Sequence, residues 1–164
     1  MKKLFITVFF IAIYTTIQAQ EVQETQSRHP HWVEDFSQAL KISKKTHKPL
    51  LVLFTGSDWC SPCKMLHEDF FNTEKFIAIA DKDLVLYKAD FPRRTDVITP
   101  EKRHENTSIQ RKYQVRGFPT VLMLDSSGKE LGRFAGYSFM RDTEPHYTLV
   151  KNAIEQNSKL FWWK

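Results

Sequence analysis

The sequence predicts an α/β domain in which a central mixed sheet of about four strands is covered by helices on both faces. The first observation is a pair of apolar runs, 50–55 and 84–89, that lie between segments with helical spacing. Unbroken apolar runs are typical of strands buried on both faces of a parallel sheet. The second observation is the turn sequence 125–128, which separates the strand-like segments 120–124 and 130–134. These two segments are expected to add an antiparallel hairpin to the sheet.

Helical spacing of apolar residues predicts the elements between the strands. Five helices are expected. The first runs from Trp32 to before Pro49 and the second from about Cys60 through Phe70. The other three cover 74–80, about 106–113 and the segment from Glu144 onward. Asp142 or Thr143 is expected to cap the last helix, with Pro145 in its first turn. Strands separated by helices should pair in parallel through right-handed crossovers.

The first residues, 1–19, are typical of a signal peptide rather than of a folded domain. Lys2 and Lys3 supply a positive start, 4–17 is mostly apolar, and the segment ends on the small residue Ala19. A membrane anchor is the alternative, but it would need about 20 apolar residues, and this run is shorter. We therefore expect a periplasmic or secreted protein with no stable membrane span after cleavage.

The remaining length suits one domain, and composition excludes several classes of protein. We expect a polar lead-in over 20–31, a domain over 32–158 and an aromatic tail over 159–164 that folds back on the domain or contacts a membrane surface or partner. Two cysteines exclude a disulfide-rich scaffold, and 41% hydrophobic with 26% charged residues argues against disorder. The net charge of +5 falls by two without the leader, and no basic run predicts a nucleic-acid partner.

A Trp-Cys-Ser-Pro-Cys-Lys motif spans 59–64, where the first long strand gives way to a helix. A helix start offers unpaired N–H groups and partial positive charge, so a Cys60 thiolate would be stabilised there and act as a nucleophile. Cys63 lies one turn further on the same face, where it can attack a mixed disulfide formed at Cys60. Pro62 suits the first helical turn, because the N–H that it lacks would have no partner there. The motif predicts thiol–disulfide chemistry without a cofactor.

A metal site and an inert pair are the alternatives for these cysteines. A closed zinc site needs four ligands, and a cysteine-only site would require a second chain. His29, His31 and His67 could complete a site, but their spacing is unlike that of a zinc finger. A disulfide across so short a loop would add little stability. No metal ligand is therefore assigned.

A second motif, Gly-Phe-Pro-Thr-Val over 117–121, precedes the predicted hairpin. Together with the cysteine motif it resembles the thioredoxin superfamily, over about 32–157. The resemblance implies a thioredoxin-like fold, with Cys60 as the attacking cysteine and Cys63 as the resolving one. It also implies that Pro119 is a cis-proline facing the pair, that the backbone of Phe118 pairs with an extended substrate segment, and that Trp59 shields the pair.

The chain departs from thioredoxin itself at two positions. Counting back from Cys60, Phe54 stands where the family carries a buried carboxylate that helps the resolving cysteine lose its proton. Lys88 matches a family lysine near that carboxylate. Glu68 replaces the proline that kinks the family's helix. With these departures, the chain resembles the exported thioredoxin-like proteins of bacterial envelopes more than it resembles thioredoxin itself.

The segment 91–104 is predicted to be a polar loop, basic at both ends, that leaves the carboxyl end of the strand 84–89. Cys60 follows the carboxyl end of the neighbouring strand, so both lie on the rim where such sheets bind ligands. The loop either contacts partners or is simply solvated.

The expected function is that of an exported, monomeric thiol–disulfide oxidoreductase with protein disulfides as substrates and a thiol as electron donor. Ser61-Pro62 keeps the proline of reducing members and lacks the histidine often found in oxidising ones, which favours a reductase over an oxidant or isomerase. The alternative from another class is a peptide- or metal-binding module whose redox activity is incidental.

Overall fold

The computed structural model describes residues 29–162, so the expected signal peptide lies outside the described residues. The elements are β1 (Trp32–Val33), α1 (Phe36–Thr46), β2 (Leu50–Thr55), α2 (Ser61–Leu66), a π-helical turn (His67–Phe71), α3 (Glu74–Asp83), β3 (Val85–Asp90), α4 (Pro100–Lys112), β4 (Thr120–Leu124), β5 (Glu130–Ala135) and α5 (Glu144–Trp162). Helix α5 extends beyond residue 158, into the segment expected to form the tail. None of the helices in the described chain combines the length and the apolar character needed to cross a bilayer.

The sheet is mixed and has five strands in the order β1-β3-β2-β4-β5. Strands β1, β2 and β3 are parallel, and β4 and β5 pair antiparallel as the predicted hairpin. Helices lie on both faces, so the predicted fold class is confirmed apart from one additional strand.

That additional strand corrects the prediction of a helix starting at Trp32. Trp32 pairs with Leu86 of β3, so this segment extends the sheet edge. The helix begins only at Phe36, because the carboxylate of Asp35 accepts a hydrogen bond from the Gln38 N–H at 2.7 Å and caps it. The apolar residues at Trp32 and Val33 are half-buried by sheet pairing and packing, which helical spacing alone could not distinguish from a helix face.

The segment 91–104 is also shorter as a loop than predicted. Helix α4 begins at Pro100, where the missing N–H costs little, and the Thr99 hydroxyl accepts from the Lys102 N–H at 3.2 Å. The loop therefore covers 91–99. The helix predicted through Phe70 changes to a π-helical turn after Leu66.

The sheet has two chemically different faces. The face covered by α2, the π-helical turn, α3 and α5 is called the cysteine face here. Its buried residues are Leu51, Leu53, Leu66, Phe70, Phe71, Phe76, Ala80, Leu84, Leu86, Val121, Met123, Tyr137, Val150 and Ala153. The face covered by α1 and α4 is called the opposite face, and it buries Phe36, Ala39, Leu50, Val52, Phe54, Val85, Tyr87, Ala89, Ile109, Tyr113, Val115, Leu122 and Leu124.

Candidate active site

Cys60 and Cys63 form a disulfide at the start of α2, with their Cα atoms 5.2 Å apart. Cys60 occupies the N-cap position, and its Sγ accepts a hydrogen bond from the Cys63 N–H at 3.3 Å. The turn is fixed on the strand side, because the Cys60 N–H donates to the Gly56 carbonyl at 2.9 Å. Both cysteines are nearly buried, at 4% and 5% exposed.

The N-cap position gives Cys60 the electrostatic setting of a nucleophile. In the reduced protein a thiolate there would face the free N–H groups and the positive end of the helix, which stabilise a negative charge. Pro62 lies within the first turn of α2, as predicted. Because Cys63 is in the helix body, it lacks the cap position that favours a thiolate at Cys60.

Trp59 lies over the turn that precedes the disulfide. Its indole N–H donates to the Phe91 carbonyl at 2.8 Å, and its side chain is 38% exposed. A Cβ atom at Gly56 would lie only 2.5 Å from the Trp59 ring, so this close approach requires glycine. The guanidinium of Arg93 stands 4.8 Å from the indole centroid. Trp59 thus presents one partly exposed aromatic surface beside Cys60.

The peptide bond between Phe118 and Pro119 is cis, as the resemblance predicted. The Pro119 carbonyl accepts from the Gly136 N–H at 2.7 Å, which ties this turn to the segment after β5. The Phe118 ring stacks on Phe91 with centroids 4.9 Å apart and meets Trp59 edge to face at 6.1 Å. The structure therefore brings Trp59 and Phe118 together, and adds Phe91 to the group.

Asp58 is a supporting residue that the two sequence motifs do not identify. Its carboxylate accepts from the backbone N–H groups of Arg93 at 3.0 Å and Arg94 at 2.9 Å. The Arg94 N–H is the main cause that lowers the pKa of Asp58 below its ordinary value. Asp58 thereby holds the loop 91–99 against the cysteine turn. The signal in the sequence is an acid directly before Trp59.

The structure corrects the position that faces α2 from β2. Phe54 is fully buried on the opposite face, whereas Leu53 lies on the cysteine face and is paired in register with Lys88 of β3. Side chains alternate across a strand, so counting back from Cys60 by one residue too few reaches Phe54 instead of Leu53 and changes the face. Neither residue is an acid. Lys88 is half-buried beside Leu53.

His67 follows the cysteines by one helical turn. Its backbone N–H donates to the Cys63 carbonyl, and its ring lies 6.0 Å from the Phe71 ring. Burial, and then the charge of Lys88, lower the pKa of His67 below its ordinary value. Among residues 29–162 no cluster of three or more His, Cys, Asp or Glu side chains could hold a metal ion.

Comparison with known proteins gives a family match to the thioredoxin-like domain over residues 36–144. The chain is 32% identical over 114 residues to the disulfide bond reductase DsbH of Chlamydia pneumoniae, covering 70% of this chain and 68% of DsbH. It is 25% identical over 122 residues to the thioredoxin-related protein DsbJ of the same organism, covering 74% of this chain but only 34% of DsbJ.

Solved structures agree with this match. A DsbH oxidoreductase superposes with a TM-score of 0.68 at 28% identity, covering 87% of this chain and 98% of that one. A putative disulphide-isomerase from Bacteroides thetaiotaomicron gives a TM-score of 0.58 at 26% identity, with 79% and 97% covered. A thioredoxin from Thermus thermophilus, with a TM-score of 0.55 at 19% identity, covers 76% and 87% and shares the fold.

Proposed function

The chain belongs to the thioredoxin-like domain family and is a thiol–disulfide oxidoreductase, and we propose that it is an exported reductase of protein disulfides. The observation that carries this proposal is the Cys60–Cys63 pair at the N-terminus of α2. Export rests on the leader-like residues 1–19. The reducing direction rests on Ser61-Pro62 between the cysteines, and the relative DsbH bears the name of a disulfide bond reductase.

Cys60 starts the reaction in this proposal. Its thiolate attacks one sulfur of a substrate disulfide, the substrate S–S bond breaks, and the electron pair leaves with the second substrate sulfur. The product is a mixed disulfide between Cys60 and the substrate. The N-cap position supports this role, because it stabilises the thiolate that attacks.

Cys63 then resolves the mixed disulfide. Its thiolate attacks the Cys60 sulfur, the bond from Cys60 to the substrate breaks, and the substrate sulfur that was bonded to Cys60 leaves as a thiolate that takes up a proton. The substrate has gained two electrons, and the protein carries the Cys60–Cys63 disulfide seen in the structure. A thiol donor must reduce that disulfide before the next cycle.

The substrate segment is proposed to bind in extended form beside Trp59, Phe118 and Pro119. Phe118 precedes β4 and is outside the sheet, so its backbone suits the addition of a short substrate strand. The aromatic surface of Trp59 and Phe118 would cover the apolar part of such a segment. Pro62 and Lys88 support the site from the helix turn and from β3.

The test of the two cysteine roles is trapping in the mature chain. Cys63→Ser should accumulate a stable mixed disulfide with a protein substrate such as insulin, because attack still occurs and release does not. Cys60→Ser should trap far less. Equal trapping by the two variants would show that the assigned roles are wrong.

The direction is tested by the reduction potential of the Cys60–Cys63 pair. Thioredoxin lies near −270 mV and a strong oxidant near −120 mV. We expect a value on the thioredoxin side, together with catalysis of insulin reduction by dithiothreitol. A potential near that of the strong oxidant would exclude the reductase, and failure to catalyse exchange at all would favour a binding module.

A further inference from the structure

Resolution of the mixed disulfide requires the Cys63 thiol to lose its proton inside a nearly closed site. Cys63 is 5% exposed, so bulk water has little access to it. The residue of β2 on the face toward α2 is Leu53, which cannot accept a proton. The residue paired in register with Leu53 is Lys88, so β3 does not place a carboxylate there either. The strand side of the site therefore lacks the base that the step calls for.

A base is available one helical turn beyond Cys63. The His67 N–H donates to the Cys63 carbonyl and also to the Lys64 carbonyl, so His67 lies one helical turn after Cys63, before the π-helical segment continues. Residues four apart on a helix share a face, with Cβ atoms about 5–6 Å apart. Helical side chains also tilt toward the N-terminus, so the His67 side chain leans toward Cys63 rather than away from it.

The surroundings of His67 keep its ring neutral. It is half-buried, and charged groups reach it from three directions: Lys88 on β3, Glu68 on its own turn and His29 in the lead-in. Burial, Lys88 and His29 lower the pKa of His67, and only Glu68 raises it. A histidine with a pKa below 6.5 is unprotonated at pH 7 and can accept a proton.

We propose that His67 accepts the proton of the Cys63 thiol in the resolving step and so does the work of a buried carboxylate, whose place on β2 is taken by Leu53. The inference rests on the proposed disulfide exchange. The S–H bond of Cys63 breaks, its proton moves to a ring nitrogen of His67, and the thiolate attacks Cys60. The substrate thiolate that leaves then takes a proton from the His67 imidazolium or from water, which returns the ring to its neutral form.

The experiment follows single-turnover reduction of a small disulfide by the reduced protein between pH 5.5 and 9.5. The variants are His67→Gln and His67→Asn, with His104→Gln on the exposed side of α4 as the matched control. We expect loss of His67 to slow resolution about 100-fold at pH 6, the lower end of a general base's contribution. The loss should shrink toward pH 9, where a free thiol of pKa about 8.5 ionises without help. His104→Gln should match the unmodified chain throughout.

Two further measurements separate a proton acceptor from a structural residue. In the Cys63→Ser background only the Cys60 attack remains, and His67→Gln should leave its rate unchanged. Added imidazole should restore resolution in His67→Ala at pH 6. Superimposed pH profiles, a loss equal at every pH, or an equal loss in the attack step would each overturn the proposal. If the unmodified chain exchanges no disulfides, the proposed function is wrong, and the role of His67 in resolution is overturned with it.

A readout on the unmodified chain covers the case in which His67 variants do not fold. In the reduced protein, NMR titration of the His67 ring should show a second inflection where Cys63 ionises, and this inflection should be missing in the disulfide form. Identical ring titrations in the two redox forms would contradict direct coupling between His67 and Cys63.

Discussion

On the opposite face of the sheet the buried polar groups have hydrogen-bond partners, whereas on the cysteine face one buried imidazole has no such partner within residues 29–162. The Tyr87 hydroxyl lies 2.6 Å from Asn106 Oδ1 and 3.0 Å from Glu105 Oε2, and Asn106 Nδ2 donates to the Asp90 carbonyl at 2.8 Å. On the cysteine face His146 is fully buried, and neither of its ring nitrogens has a hydrogen-bond partner among the described residues.

The rings around His146 explain why it stays neutral. Phe70, Phe134 and Tyr137 approach it with centroids 5.5, 4.8 and 5.7 Å away. Burial lowers the pKa of His146 to about 4, and Asp142 raises it only in part. On the opposite face burial, followed by the charge of Glu105, raises the pKa of Tyr87, so its hydroxyl remains protonated.

The difference between the faces shows how stability and chemistry are divided in this domain. On the opposite face the buried Tyr87 hydroxyl stays protonated across the neutral range and supports the sheet through its hydrogen bond to Asn106. The cysteine face combines the reactive helix with two histidines of lowered pKa, so its stability and its reactivity should both depend on pH. Each of the following predictions tests one side of this division.

The largest effect is expected when an acid is placed on either side of β2. Leu53→Asp and Phe54→Asp each remove a large apolar side chain from the core and bury a carboxylate. We expect the free energy of unfolding of each variant to be about 3–5 kcal/mol lower than that of the unmodified chain. Urea unfolding at pH 7 measures this loss.

Only one of these two acids should affect the chemistry. Combined with His67→Gln, Leu53→Asp places a base on the cysteine face and should restore part of the resolution rate at pH 6. Phe54→Asp points to the opposite face and should restore nothing. Equal rescue by the two acids would show that the faces do not separate the chemistry as described.

The next largest effect is a loss of folding stability at low pH, which results from protonation of His146. The folded pKa lies near 4 and the unfolded value near 6.5, so the unfolded chain binds the proton more readily. The contribution of neutral His146 to the free energy of unfolding is therefore fully present above pH 6.5 and is lost as the pH falls toward 4. Over this range the contribution falls by about 3 kcal/mol.

The variant His146→Leu should remove this part of the acid sensitivity. It should be at least as stable as the unmodified chain at pH 7, because an unpartnered polar ring is replaced by an apolar group. Its advantage should grow as the pH falls from 6.5 to 4, when unfolding is measured in urea at several pH values. His104→Gln, on an exposed residue, should keep the original pH dependence. A constant difference between His146→Leu and the unmodified chain would contradict the assigned pKa.

Much of this fold was predictable because its signals are local. The apolar run of β2, the cysteine motif and the turn before β5 each identify an element from neighbouring residues alone. The cysteine pair and the cis bond at Pro119 followed from motifs that need no knowledge of distant contacts.

The errors arose where distant contacts decide. Trp32 belongs to a strand because it pairs with Leu86, more than fifty residues away in the chain. The face of Phe54 depends on strand register, and a shift of one residue reverses it. His67 and His146 carry no sequence signal of their own, since only their burial and their neighbours give them lowered pKa values.

The smallest effect is expected for Tyr87→Phe on the opposite face. The change removes only a hydroxyl. Glu105 Oε2 keeps the Lys102 ammonium at 2.9 Å as a partner, so the loss falls mainly on the buried Asn106 Oδ1. We expect about 1–3 kcal/mol less free energy of unfolding, the cost of a buried acceptor left without a donor.

This cost should be the same from pH 5 to pH 8, because the Tyr87 phenol is neutral throughout that range and titrates in neither the folded nor the unfolded chain. The pH profile of disulfide reduction should also be unchanged, since Tyr87 lies on the face away from α2. Tyr113→Phe is the matched control: it removes one hydrogen bond of 2.9 Å to the Gly128 carbonyl near the surface, and should cost less. The fall in the free energy of unfolding of Tyr87→Phe could instead vary with pH, as expected for His146. Groups on the opposite face would then titrate as well, and the proposed difference between the two faces would be wrong.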